Sequence, residues 1–161
     1  MAVPAGPDPK RLKGQFPDRQ DIYDVFRLFY YPPEGTVRYF DYVDDNVDWQ
    51  VTGQSRFSGH WYTKKDYYDA TWAKINLLLE EPGYKLETGE IIVDPTTGWS
   101  VIEMKTVGVK TKGGVPYNQH YSWHCRWDKN GKIVEAKAFL DLDHLEKVFG
   151  GEQARQGIAS K

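Results

Sequence analysis

The chain has 161 residues, 21 Lys+Arg against 23 Asp+Glu, and a formal net charge of −2. That length is one domain, long enough to bury a core of its own, and without a basic surplus the chain does not read as a general nucleic-acid binder. Its single cysteine, Cys125, excludes an internal disulfide and a cysteine-rich zinc site. No apolar run reaches the roughly 18–20 residues of a membrane span. The start, MAVPAGPDPKRLKG, lacks the apolar stretch of a secretory signal, so a cytoplasmic protein is expected. Six Trp, 11 Tyr and 7 Phe make the chain 15% aromatic, although its mean hydropathy is −0.67. Such rings suit a wide-walled pocket, a sticky interface or plain core filling.

Residues 1–17, with Pro4, Pro7, Pro9 and Pro17, read as a flexible arm. Asp18 is a candidate N-cap, followed by Ile22, Val25, Phe26 and Phe29 at helical spacing. Pro32-Pro33 stops that helix, and a second is expected over 36–42. A strand is expected over 47–52, between the acidic run around Asp44 and Gly53. Thr63, with Asp66 three residues on, opens a third helix carrying Tyr68, Trp72, Ile75 and Leu79 on one stripe. Pro82-Gly83 ends it. Strands then read over 86–94, 99–110, 117–127 and 132–142, the last two joined by a turn at Asn130-Gly131. A short helix is expected over 143–149, and a disordered tail over 151–161.

Three helices with one early strand, then a four-strand antiparallel meander, make an α+β architecture. The expected form is a cone-shaped curved antiparallel sheet whose N-terminal helices close one side. A cone has a mouth, and concave places bind ligands. The domain is read as 18–150. In the strand over 117–127, Tyr117, Tyr121, Trp123, Cys125 and Trp127 share one face, with Gln119 as its polar exception. That face should look inward.

Two stretches carry a family resemblance. The first is Asn46-Val47-Asp48-Trp49-Gln50-Val51-Thr52-Gly53 followed by Phe57-Ser58-Gly59-His60-Trp61-Tyr62-Thr63-Lys64-Lys65-Asp66. The second is Pro116-Tyr117-Asn118-Gln119-His120-Tyr121, then Asp128-Lys129-Asn130-Gly131-Lys132-Ile133, then Phe139-Leu140-Asp141. Together they resemble the SnoaL-like proteins of the nuclear transport factor 2-like superfamily, which includes ketosteroid isomerases, scytalone dehydratase and polyketide cyclases. The resemblance implies the cone fold, a homodimer and no cofactor, but it does not fix the reaction. Thr63 stands where relatives often carry Gly. Phe139 stands where they often carry Tyr, which removes a hydroxyl.

Asp141 is the first candidate for catalysis. A carboxylate in an aromatic-walled pocket is raised toward the range of a general acid or base, and the resemblance places an acidic site residue there. The alternative is an N-cap for the last helix. Tyr117 and Tyr121, pointing inward, would hold an oxyanion or pass a proton. His60, in a loop near the mouth, is a candidate proton carrier. Trp49, Trp61, Trp72, Tyr31, Trp123 and Phe139 are candidate ligand walls, and Arg38 a candidate for holding a carbonyl oxygen. His120 and His124, about 13 Å apart on a strand, do not make a metal pair, so no metal site is expected. No phosphate-binding glycine loop or nucleophile elbow occurs.

The resulting expectation is a cofactor-independent isomerase or cyclase. It would act by proton transfer on a polycyclic, carbonyl-bearing intermediate of natural-product biosynthesis, skeletal rearrangement included. A non-catalytic small-molecule binder or dimeric adaptor of the same fold is the first alternative. A dehydratase or epoxide hydrolase using Asp141 and His60 is the second.

Overall fold

A computed structural model describes residues 2–158. The proline-rich start is not a free arm. Asp8 caps a single helical turn, α1 (Pro9–Leu12), and Leu12 is buried against Gly131 of the late turn. Gly131 has φ +75°, and a Cβ there would come within 2.4 Å of Leu12, so both backbone conformation and contact require glycine. Gly14 N–H donates to the Lys129 carbonyl at 2.6 Å, and Arg11 pairs with Asp18 and Asp21. Met1 lies outside the described residues.

The capping residues start the helices where the sequence places them. Asp18 and Asp21 exchange side-chain-to-backbone bonds of 2.8 and 2.9 Å at the head of α2 (Arg19–Phe26). The chain continues as a 3-10 turn over Arg27–Tyr30 and, past Pro32-Pro33, as α3 (Glu34–Phe40). Then come β1 (Val43–Val51) and a short strand absent from the sequence expectation, β2 (Gly59–Trp61). The single helix expected after Thr63 is two: α4 (Lys64–Ala70), capped by Thr63, and α5 (Trp72–Asn76). The break falls at Thr71, whose hydroxyl donates to the Tyr67 carbonyl at 2.7 Å while its backbone leaves the helical region.

The meander is β3 (Leu86–Val93), β4 (Trp99–Thr106), β5 (His120–Trp127) and β6 (Ile133–Leu140). All six strands form one sheet in the order β2-β1-β6-β5-β4-β3, with β1 and β6 parallel and every other pair antiparallel. β5 alternates as the sequence predicts: Tyr121, Trp123, Cys125 and Trp127 are buried, and the residues between them are not. Helical rings cover that face. Phe26 meets Trp123 and Trp127 edge-on, Phe29 lies flat on Trp72 at 5.1 Å, and Trp49 lies flat on Tyr67 at 4.2 Å. Among the described residues no helix is long and apolar enough to cross a membrane.

The last helix, α6 (Leu142–Gln156), is longer than expected and ends on Gly157 in the left-handed region. It runs through Gly150-Gly151 and converts the expected tail into ordered structure up to Gln156. Residues 159–161 lie outside the described residues. Two interactions hold the helix past its glycines. Gly150 admits the Arg56 guanidinium, which would lie 2.2 Å from a Cβ there. The Glu152 carboxylate, buried, accepts from Gly113 N–H at 3.0 Å, from Arg155 at 2.7 and 2.8 Å, and from Gln156 at 3.1 Å.

Two outcomes follow from this packing. Trp49 is fully buried in the core, so Trp49→Ala should cost about 3–5 kcal/mol in urea unfolding; a loss below about 1 kcal/mol would contradict its place there. Arg155 and its neighbours hold the Glu152 carboxyl at about 2, below the ordinary value of about 4.3. The stability Glu152 supplies is therefore complete above about pH 4.3 and is lost as pH falls toward 2. Thermal melts of Glu152→Gln should show a lower Tm at neutral pH and a shallower acid limb than the unaltered chain.

Candidate functional site

The site begins with a size mismatch on the concave face. On β5, Trp123 stands opposite Ala138 of β6, and Ala138 stands beside Val51 of β1. A methyl between a large ring and a valine leaves space that the helices do not fill. The space is a cavity of about 380 Å³, within the usual range for a small-molecule site. Its walls are rings: Trp61 of β2, Tyr67 of α4, Trp72 of α5, Tyr84 before β3, and Tyr121 and Trp123 of β5. Leu77, 59% exposed, and Ile158 flank it, and Arg56, Lys74 and Gln153 add polar groups. Arg56 is fixed by Glu146, whose carboxylate takes its Nε–H at 2.8 Å and also accepts from the Ser55 hydroxyl at 2.6 Å.

The polar chemistry is phenolic. Tyr121 is 7% exposed, and its hydroxyl lies 3.2 Å from that of Tyr117, one layer behind the wall. Gln119 Nε2 donates to the Tyr117 hydroxyl at 3.1 Å. On the second side of the cavity, Trp72 Nε1–H donates to the Tyr67 hydroxyl at 2.9 Å. The Trp123 indole N–H is buried with no partner among the described residues. Burial pushes the hydroxyls of Tyr67, Tyr117 and Tyr121 well above the ordinary phenol value; the bonds from Trp72 and Gln119 offset part of this for Tyr67 and Tyr117. These groups stay protonated and act as donors, not as bases. Among the described residues that line the cavity there is no Asp, Glu, His or Cys. Nor do the described residues hold any group of three or more such side chains that could bind a metal ion.

Of the residues expected at a site, Tyr121, Trp61, Trp72 and Trp123 meet around the cavity, and Tyr117 backs Tyr121. The others lie elsewhere. Asp141 is not a pocket carboxylate. It is exposed and caps α6, accepting the His144 N–H at 3.0 Å. The strand ends at Leu140, so the next residue turns out to head the helix and its side chain leaves the concave face. His60 is on the outer side, 2.5 Å from Asp48 and stacked on Tyr62. Trp49 is core. Phe139 sits on the opposite face of β6, 40% exposed against His124, because it is out of phase with Ala138. Tyr31, against Tyr30, and Arg38, on α3, do not reach the cavity.

Several contributors escaped the sequence reading, Lys74 and Gln153 among them. Tyr67 lies off the stripe drawn through Tyr68 and Trp72, because the helix break at Thr71 resets the phase. Arg56 and Tyr84 come from loops with no periodicity to read. Gln119 did leave a signal, as the one polar residue on an otherwise apolar parity.

No family model matches the chain. Over 110 residues it is 22% identical to the dimerizing cyclase phiC of Fungal sp. (strain ATCC 74256), a match covering 68% of this chain and 48% of that protein. The chain thus spans about half the length of that curated relative. The BvnE pinacolase of Penicillium brevicompactum superposes with a TM-score of 0.59 at 15% identity, over 84% of this chain and 90% of that one. A nuclear transport factor 2-like protein of Burkholderia pseudomallei superposes with a TM-score of 0.60 at 16% identity, over 78% and 94% of the two chains. With the curled sheet and its closing helices, these likenesses give the chain the nuclear transport factor 2-like fold.

Proposed function

We propose that the chain is a cofactor-independent isomerase or cyclase acting on a polycyclic, carbonyl-bearing natural-product intermediate. The observation that carries this reading is the cavity of about 380 Å³, walled by indoles and phenols, Tyr121 with its buried, protonated hydroxyl among them. Flat rings would stack on Trp61 and Trp72, and a carbonyl oxygen would accept from Tyr121. A donor aimed at an oxygen that gains negative charge lowers the barrier, and exclusion of water strengthens the bond. Two proteins that the chain resembles are named a cyclase and a pinacolase, which supports chemistry of this class.

Among the described lining residues no carboxylate or imidazole is available to carry a proton to or from carbon. In this reading the cavity therefore works by confinement and by polarising the carbonyl, and the bonds that move belong to the substrate. Ring closure or skeletal rearrangement suits that better than removal of a proton by Asp141. The same observation favours a second reading, a non-catalytic binder of the same ligands. A dehydratase or epoxide hydrolase loses its support, since neither Asp141 nor His60 lines the cavity.

The test is a panel of polycyclic ketones, followed by quenching of tryptophan fluorescence and by product analysis. Tyr121→Phe should lower turnover by about 10²–10³-fold while ligand affinity changes far less. Tight binding with no conversion of any ketone would favour the binder, and no binding at all would overturn both readings. Asp141→Asn should leave turnover intact and stability within about 0.5 kcal/mol, because Asn caps as well as Asp, whereas Asp141→Ala should cost about 1 kcal/mol. A turnover loss in Asp141→Asn without a loss of stability would return a chemical role to the carboxylate.

A further inference from the structure

The Gln119 side chain has only one orientation that its neighbours allow. Its Oε1 receives two backbone N–H groups, from Asp141 at 3.0 Å and from His120 at 3.1 Å. Its Nε2 faces the Asp141 carbonyl at 2.8 Å and the Tyr117 hydroxyl at 3.1 Å. Exchanging N and O would set donor against donor twice and acceptor against acceptor once. Gln119 is 2% exposed, so no bulk water relieves such a mismatch.

This orientation propagates. Tyr117 is fully buried, and its hydroxyl has two hydrogen-bond neighbours among the described residues, Gln119 Nε2 and Tyr121 Oη. Gln119 can only donate there, so the Tyr117 proton has one acceptor, the Tyr121 oxygen. The Tyr121 proton is then free of Tyr117 and available to the cavity that Tyr121 lines. We propose that Gln119, which does not touch the cavity, is a positioning residue that makes Tyr121 a hydrogen-bond donor to the ligand, so that the cavity selects ring compounds carrying an acceptor oxygen over the same rings without one. This rests on the reading of the cavity as a site for ring compounds and adds the polarity of its recognition. Tyr67 has the same polarity by an independent route, since Trp72 Nε1–H donates to its oxygen.

Gln119→Glu is the informative change, because it should reverse the chain. Ionised, the new carboxylate has only lone pairs to offer; protonated, its single O–H is taken by the Asp141 carbonyl, the nearer acceptor at the amide nitrogen's position, so the oxygen beside Tyr117 accepts and the Tyr117 proton turns toward residue 119. Tyr117 then accepts from Tyr121, and Tyr121 shows the cavity a lone pair. The probes are 9-fluorenone and fluorene, which share a skeleton and differ in the carbonyl. Binding is read from tryptophan quenching. The unaltered chain should prefer the ketone by about tenfold, the worth of one hydrogen bond, and should lower its carbonyl stretching frequency relative to hexane. In Gln119→Glu the preference and the infrared shift should collapse while fluorene affinity is kept, which a merely structural role would not produce. A preference unchanged in Gln119→Glu would overturn the proposal and leave the cavity reading standing. Failure of both probes to bind the unaltered chain would overturn both. Should Gln119→Glu not fold, the unaltered chain and Tyr121→Phe decide. A ketone frequency lowered by the first and restored by the second supports the proposal, and an unshifted frequency sinks it.

Discussion

The structure depends on how one sheet face is covered. A six-stranded sheet buries its concave side only if something fills a space that tapers toward the curl, and here rings from the helices fill it. Phe26 and Phe29 meet Trp123 edge-on, Trp123 meets Trp49 in the same way, and Tyr39 and Trp72 pack on Phe26 and Phe29. Rings pack in a few discrete geometries and cannot be trimmed by a methylene at a time. Where Ala138 falls among them, a gap remains that the protein's own rings leave open. The cavity is thus a consequence of the packing that stabilises the domain, and ligand and core draw on the same set of side chains.

That shared origin explains the chemistry of the gap. The aromatic part of the wall brings polarity only through indole N–H and phenol O–H groups, Arg56 and Lys74 add cationic donors, and among the described lining residues there is no carboxylate or imidazole. Burial keeps the phenols protonated. Carboxylates here serve structure instead: Asp18 and Asp141 cap helices, Glu146 fixes Arg56, and Glu152 ties α6 to the loop at Gly113. Each sits where backbone N–H groups or a guanidinium satisfy it, the cheapest environment for a charge at a domain surface.

Gln119 joins the two regimes. It clasps the backbone where β6 hands over to α6, taking the Asp141 N–H and donating to the Asp141 carbonyl. The same amide touches the phenol pair behind the cavity. Asp141 therefore matters to the site through its main chain, which orients Gln119, while its carboxylate faces outward to cap α6.

Local patterns were legible in the chain by itself. The alternation of β5, the caps at Asp18 and Thr63, the Asn-Gly turn and the order of elements are properties of neighbouring residues, and they set the α+β cone and the inward direction of Tyr121 and Trp123. What the sequence left open depended on phase at junctions and on contacts between distant segments. Whether Asp141 ended a strand or began a helix decided which way its carboxylate pointed. One break at Thr71 moved Tyr67 into the wall. Trp49 and Trp61 read alike in sequence, yet Tyr67 covers the first in the core and the second borders the cavity. Periodicity assigns a residue to a face, but only the three-dimensional packing decides whether that face meets another ring, solvent or a space.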